Sequence, residues 1–344
     1  MFRRRFASAL AAAAAVIFSA PFAQQAFTGV GTAWAPQFRA IGIAATAVPV
    51  SIAVLVAVVR IRDRRSARYL ALGSSLAFGT SYILINALSF GESFHFVEYG
   101  LLAWLFYRAP RPDDGGSGIL LPLLGGTLVG ILDEWFQWFI PIRTGEARDI
   151  LLNGVASGCG LLFAVSVEPP NWPPVALRRE SLVRVRLCAG AVVVLFALFF
   201  LTVHVGHDVW DAEIGAFRSR YTAAELAALA NDRTQRWRVQ PPLASRRLSR
   251  EDQYLTEGLW HVQRRNQAWS AGDVADAWRE NRILEKFYAP ILDAPTYAGA
   301  AGHRWPAAQR AEAASRPGVD RAPSVSDSYP YPLYVWPGVV TCCC

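Results

Sequence analysis

The chain has 344 residues, 53% of them hydrophobic and 18% charged, whereas an ordinary soluble domain carries about 25% charged residues. Its formal net charge is +7, but from His207 onward 17 basic residues face 16 acidic ones, and the excess, 17 against 11, lies in the first 206 residues. There the arginines fall in short loops between apolar runs, which excludes a nucleic-acid partner and indicates a membrane bundle followed by a near-neutral soluble part.

A membrane-crossing helix needs roughly 20 mostly apolar residues. Seven segments meet or approach this: Phe6–Ala23, Ala40–Val59, Tyr69–Leu88, Ser89–Tyr107, Gly118–Ile140, Asp149–Val167 and Leu187–Val205. The fourth and fifth carry charges and give the weakest hydropathy signal. With the N-terminus in the cytoplasm, fourteen arginines fall inside and three (Arg39, Arg143 and Arg148) outside, a strong positive-inside bias. Seven spans then place everything after His207 outside the cytoplasm. The Arg-rich start and alanine-rich core of the first segment also fit a cleaved signal peptide, which would leave six spans and the same exterior C-terminus.

Charged groups inside spans are expensive and need a reason. Here they cluster. His95, Glu98 and Tyr99 open the fourth segment at i, i+3 and i+4, one helix face. Asp133, Glu134 and Gln137 close the fifth, followed by Pro141 and Arg143. Asp149 and Asn153 open the sixth, again at i and i+4. Alternating span directions put all three groups in one layer at the outer end. Glycines beside them, Gly125, Gly126 and Gly130 and the pair Gly154 and Gly158, suit close helix packing. Mutual pairing that locks the bundle and a functional site both explain such a layer.

These residues resemble the VanZ-like family. The resemblance rests on His95-Phe96 and Tyr99 with Leu101, Leu102 and Leu105, then on Glu134-x-x-Gln137-x-Phe139-x-Pro141-x-Arg143, then on Asp149, Asn153 and Gly160. It covers roughly residues 70–165. Glu92, Ile142 and Ala156 stand where the family usually has Lys, Gly and Gly. The resemblance implies a bacterial multi-pass protein of the cytoplasmic membrane; the family's named member is linked to tolerance of the glycopeptide teicoplanin.

The expected organisation is therefore all-α: membrane spans over 1–68, a VanZ-like core over 69–167, a cytoplasmic loop and last span over 168–206, an extracytoplasmic helical domain over 207–315 and a Pro/Tyr-rich irregular tail over 316–344. From Asp208 the pattern reads as helical. Helices are expected at Ala223–Ala230 after the N-cap Thr222, at Arg250–Trp269 and at Val274–Tyr288. Trp260, Trp269, Trp278 and Tyr288 read as core, and His261 with Glu257 as an incidental surface pair. Cys159 and Cys188 are small hydrophobes, and Cys342–Cys344 form a tail of reactive thiols with no metal spacing.

Two functions fit. One is a protein acting at the outer membrane face that binds a lipid, a lipid-linked envelope molecule or a glycopeptide, with Tyr99, Gln137, Arg143, Asp149 and Asn153 as binding residues. The other is a membrane enzyme on a lipid-linked envelope substrate, with His95, Glu98 and Glu134 as its acid–base groups. No zinc-ligand spacing is present, and neither reading requires a cofactor.

Overall fold

The computed structural model describes residues 2–33, 37–109, 117–140, 143–169, 179–231, 250–293, 302–316 and 329–335. Arg111, Pro141, Ile142, Arg178 and the Thr341–Cys344 tail lie outside these.

Seven long helices come first: α1 (Phe2–Ala33), α2 (Phe38–Arg60), α3 (Arg65–Ile85), α4 (Phe90–Arg108), α5 (Ser117–Trp138), α6 (Ala147–Val167) and α7 (Arg179–Val203). Among the described residues, four are long and apolar enough to cross a membrane: Ala40–Arg60, Ser117–Trp138, Ala147–Val167 and Arg179–Val203. The α5 segment qualifies despite its charges. α2 and α7 leave nearly all of their apolar windows uncovered by protein, whereas most of α6 is covered.

The chain divides into two compact units, Met1–Gln137 with Gly145–Phe199, and Trp138–Thr144 with Phe200–Cys344. In the first, α6 is the central element, packed by α4 and α3, while α1 and α2 flank α4. The helix ends sort by chemistry. At one end Arg68 donates from Nε to the Ser166 carbonyl (2.7 Å) and from Nη2 to the Val167 carbonyl (2.8 Å). It thereby meets the negative pole of the α6 dipole. At the same end Tyr107 donates to the Glu168 carbonyl (2.7 Å), Arg108 pairs with the Glu168 carboxylate (3.2 Å), and Arg5 donates to the Arg108 carbonyl. The opposite end joins the start of α4, the last turns of α5 and the start of α6.

Close approach is achieved by specific glycines. A Cβ on Gly160 would lie 2.3 Å from the Gly100 Cα, so α4 and α6 cross backbone to backbone. A Cβ on Gly130 would lie 2.9 Å from the Asn153 Cβ, and one on Gly126 would lie 2.5 Å from the Ser157 Oγ. The expected Gly154/Gly158 close packing is corrected: among the described residues a Cβ on Gly154 would meet only Thr127 Oγ1 of α5, at 4.0 Å, and one on Gly158 nothing within 4 Å, so neither position requires glycine for helix approach.

The second unit departs from the all-α expectation. Instead of a helix after Asp208, β1 (Val205–Asp211) and β2 (Gly215–Ser219) form an antiparallel hairpin, and β3 (Tyr334–Val335) runs parallel to β1, in the order β2-β1-β3. The physical reason is alternation: Val209 is buried between exposed Asp208 and Trp210, and Gly215, Phe217 and Ser219 are buried in β2. The turn is set by Asp211, whose Oδ1 accepts from the main-chain N–H groups of Glu213 (3.0 Å) and Ile214 (3.2 Å), and by Gly215 at φ +93°. Lys286 Nζ meets Asp211 Oδ2 at 2.6 Å.

The helices follow: α8 (Ala223–Ala230), α9 (Arg250–Ala271), α10 (Val274–Phe287), α11 (Ala289–Leu292) and α12 (Ala307–Ala314). Thr222 caps α8 in a capping box with Glu225. Between α9 and α10, Gly272 sits at φ +80°, the Asp273 N–H bonds the Ala268 carbonyl (2.9 Å) and the Asp273 side chain accepts from Asp276 N (3.1 Å). Phe217, Tyr221, Leu226, Tyr254, Leu284 and Tyr288 belong to one core cluster, and Trp278 and Trp305 to a second. Apart from β3 the described part of the tail, residues 329–335, has no regular structure, yet it is packed: Tyr329, Tyr331 and Leu333 are buried, and both tyrosine rings pack on Trp260. The last residue of α5 is built into this unit, with its carbonyl accepting from Gln253 Nε2 (2.7 Å) and its indole lying 4.4 Å under the Arg220 guanidinium.

Candidate functional site

The candidate site lies in the first unit, where the start of α4, the last turns of α5 and the start of α6 meet. α4 begins at Ser89, whose Oγ accepts from Glu92 N (3.2 Å) while Glu92 Oε2 accepts from Ser89 N (2.7 Å). Glu92 also faces Arg148 at 3.7 Å. A carboxylate therefore has a local reason to stand where the VanZ-like pattern has a lysine: it closes a capping box and tethers the start of α6.

The start of α4 then presents His95, Glu98 and Tyr99. His95 and Tyr99 stack with ring centroids 5.9 Å apart. Tyr99 is fully buried and donates its hydroxyl to Asp133 Oδ2 at 3.0 Å. Glu98 is half-buried one residue before it. On α5, Asp133 and Glu134 are 3% and 1% exposed. Two adjacent buried acids carry a heavy desolvation cost, several kcal/mol each unless compensated. Glu134 accepts from Gln137 Nε2 (3.3 Å) and from the main-chain N–H of Glu146 (3.3 Å), just ahead of α6.

From α6 come Asp149, half-buried in the first turn, and Asn153, fully buried one turn further in. Asn153 lies against Gly130, where an added Cβ would be 3.6 Å from the Tyr99 ring. Among the described residues neither its amide nitrogen nor its oxygen has a hydrogen-bond partner, and the same holds for the hydroxyl of buried Ser157, one turn deeper.

Seven of the eight expected residues, His95, Glu98, Tyr99, Glu134, Gln137, Asp149 and Asn153, thus belong to one unit and one end of it. Direct links join His95 to Tyr99 and Gln137 to Glu134. Arg143 belongs to the second unit, where its N–H donates to the Ile140 carbonyl (2.9 Å). Asp133, the direct partner of Tyr99, was not among the expected site residues. Its signal was present: Gly126, Gly130, Asp133 and Gln137 follow at i, i+4, i+7 and i+11, the α5 face that meets α6. Ser157 follows Asn153 at i+4 in the same way.

The layer is acidic. Among the described residues at this end of the unit, Glu92, Glu98, Asp133, Glu134, Glu146 and Asp149 stand against Arg148 and His95. Burial pushes the Glu146 carboxyl above its ordinary range, Arg148 opposes this and Glu92 adds to it. Among the described residues no group of three or more His, Cys, Asp or Glu side chains could hold a metal ion. Chemically, the arrangement accepts hydrogen bonds from a donor-rich partner.

The second unit holds a separate polar centre that corrects the reading of His261 as a surface residue. His261 is fully buried, with Nδ1 2.6 Å from Glu280 Oε2, and Glu257 is 1% exposed. Glu257 accepts from the Tyr288 and Tyr329 hydroxyls and from Arg220 N (3.2 Å). Burial, reinforced by Glu257, pushes both phenols well above their ordinary pKa. These bonds join strand, helix and tail, which is the work of a structural lock.

Comparison with protein-family models, curated proteins and solved structures finds no match to this chain.

Proposed function

We propose that the chain is a VanZ-like protein of seven membrane spans, with its arginine-rich helix ends in the cytoplasm and its second unit outside. In this reading the acidic layer opens at the outer face and binds a lipid, a lipid-linked envelope molecule or a glycopeptide. Glycopeptide tolerance of the teicoplanin type is the phenotype this predicts. The observation that carries it is the joint burial of Asp133 and Glu134 where α4, α5 and α6 meet. Ionisable groups inside membrane spans are retained for function more than for stability. The motif residues His95, Tyr99, Glu134, Gln137, Asp149 and Asn153 add support by belonging to that same end.

The stacking of His95 on Tyr99, itself bonded to Asp133, favours a second reading. In it His95 transfers a proton to or from a lipid-linked envelope substrate, with Glu98 or Glu134 as the second acid–base group.

Both readings are tested by His95→Ala and Glu134→Gln in a cell whose glycopeptide tolerance depends on the protein. Loss of tolerance with abundance nearly unchanged supports a functional layer. Abundance falling in step with tolerance would make the layer a structural lock. Conversion of an added envelope lipid by the wild type alone would select the enzyme.

A further inference from the structure

We infer that the acidic layer selects a primary ammonium group, the headgroup of an ethanolamine lipid or a free aminoalkyl phosphate. The inference rests on the proposed binding role and adds its ligand class. Charge is the first ground. Six carboxylates (Glu92, Glu98, Asp133, Glu134, Glu146 and Asp149) belong to this end. Even if the three outer arginines, Arg39, Arg143 and Arg148, and a protonated His95 were all paired with them, negative charge would remain in excess. A phosphate or carboxylate drawn into such a layer meets repulsion, whereas an ammonium meets attraction strengthened by burial, the phosphate of an aminoalkyl phosphate staying outside the layer behind its two-carbon link.

Asn153 supplies the second, independent ground. It is fully buried, both atoms of its amide are without a partner among the described residues, and it lies against Gly130, where an added Cβ would be 3.6 Å from the ring of Tyr99, the donor to Asp133. Buried polar atoms in a native protein are normally hydrogen-bonded. An ammonium carries three N–H donors and no acceptor. The Asn153 carbonyl oxygen and carboxylate oxygens of the layer offer it one neutral and several charged acceptors.

Hydrogen-bonding capacity decides between kinds of cation. A trimethylammonium group has no N–H and leaves the acceptors unmet. The group selected is therefore unmethylated.

The test uses the full chain in detergent and reads its thermal unfolding. Dihexanoylphosphatidylethanolamine should raise the unfolding temperature by roughly 2–4 °C. Dihexanoylphosphatidylcholine, which differs only in its methyls, and dihexanoylphosphatidylglycerol, which offers hydroxyls, should leave it unchanged. The ethanolamine effect should vanish in Asp133→Asn and in Asn153→Leu; because the lipid series is run on the unaltered chain, it stands even if a variant fails to fold. A parallel shift with free phosphoethanolamine would assign a headgroup readable in solution, and its absence a membrane-carried one. Choline or glycerol lipids acting as strongly as ethanolamine, with the effect lost in Glu134→Gln, would overturn amine selection while leaving a binding layer in place. No shift with any probe would overturn the inference outright, and the tolerance assay would still decide the binding role.

Discussion

Tyr99 of α4 donates its hydroxyl to Asp133 of α5 across 3.0 Å, with both side chains buried. The bond ties α4 to α5 at the level of the candidate site. A hydrogen bond to a charged group is worth about 1.5–3 kcal/mol. Tyr99→Phe leaves a buried carboxylate short of a donor and should lower stability by about that amount, whereas Asp133→Asn on top of it should cost much less than alone. A double-mutant cycle on thermal stability should show coupling above about 1 kcal/mol; additive losses would show that the two groups do not share this bond.

The α4–α6 crossing gives a sharper steric contrast. A Cβ at Gly160 would lie 2.3 Å from the Gly100 Cα and 2.5 Å from its carbonyl oxygen, both rigid backbone atoms, while Gly158 has nothing within 4 Å. Gly160→Ala should destabilise the bundle by about 1–3 kcal/mol and lower its abundance in the membrane. Gly158→Ala should be neutral or slightly stabilising, because alanine is the better helix former. Equal behaviour of the two variants would remove the backbone crossing.

What the sequence made legible follows from the range of the signals. Thr222 with Glu225, and Gly272 with Asp273, are local punctuation, so α8, α9 and α10 could be placed to within a few residues. The polar layer was legible because alternating span directions bring its three segments to one end. Three features were not. The β1–β2 hairpin follows α7 with only His204 between them, so its short alternation merges into the apolar run. His261 is buried by Glu280, nineteen residues away on α10, which a pattern of four could not reveal. Tyr329 and Tyr331 are drawn from the tail by Trp260 and Glu257, contacts with no local signal at all.

The lock in the second unit should be sensitive at its centre. Glu257 accepts from two buried tyrosine hydroxyls and from Arg220 N. Glu257→Leu strands all three donors and should cost more than about 3 kcal/mol, releasing the tail. Limited proteolysis within residues 329–335 should then become fast. Unchanged cleavage would show that the tail is held without Glu257.

Acid should loosen this unit. Burial and Arg220 hold His204 below its ordinary pKa, although the Pro332 carbonyl 2.8 Å away opposes them, and burial with Arg265 does the same for His303. A histidine whose folded pKa is depressed binds its proton more readily when unfolded. Its stabilising contribution is therefore full above the ordinary value of about 6.5 and is lost as the pH falls below it. Asp211 and Glu285, held below the ordinary carboxylate range by Lys286 and Arg310 against the opposing effect of burial, act only at lower pH. Protection factors of the amides in β1 and α9, corrected for the slower intrinsic exchange in acid, should fall between pH 7.5 and pH 5.5, and His204→Gln with His303→Gln should flatten that dependence. An unchanged dependence in the double variant would assign it elsewhere.

The central claim is that the acidic layer faces outward and the arginine-rich ends face the cytoplasm. Arg148 adjoins the layer with its side chain 52% exposed, and Arg62 is exposed beside the buried cap Arg68. With Cys188 and Cys342–Cys344 replaced by serine, Arg148→Cys and Arg62→Cys are each treated with a membrane-impermeant maleimide on intact cells. Arg148→Cys should label at once and Arg62→Cys only after permeabilisation; labelling of Arg62→Cys on intact cells, with Arg148→Cys protected, would put the acidic layer on the cytoplasmic side.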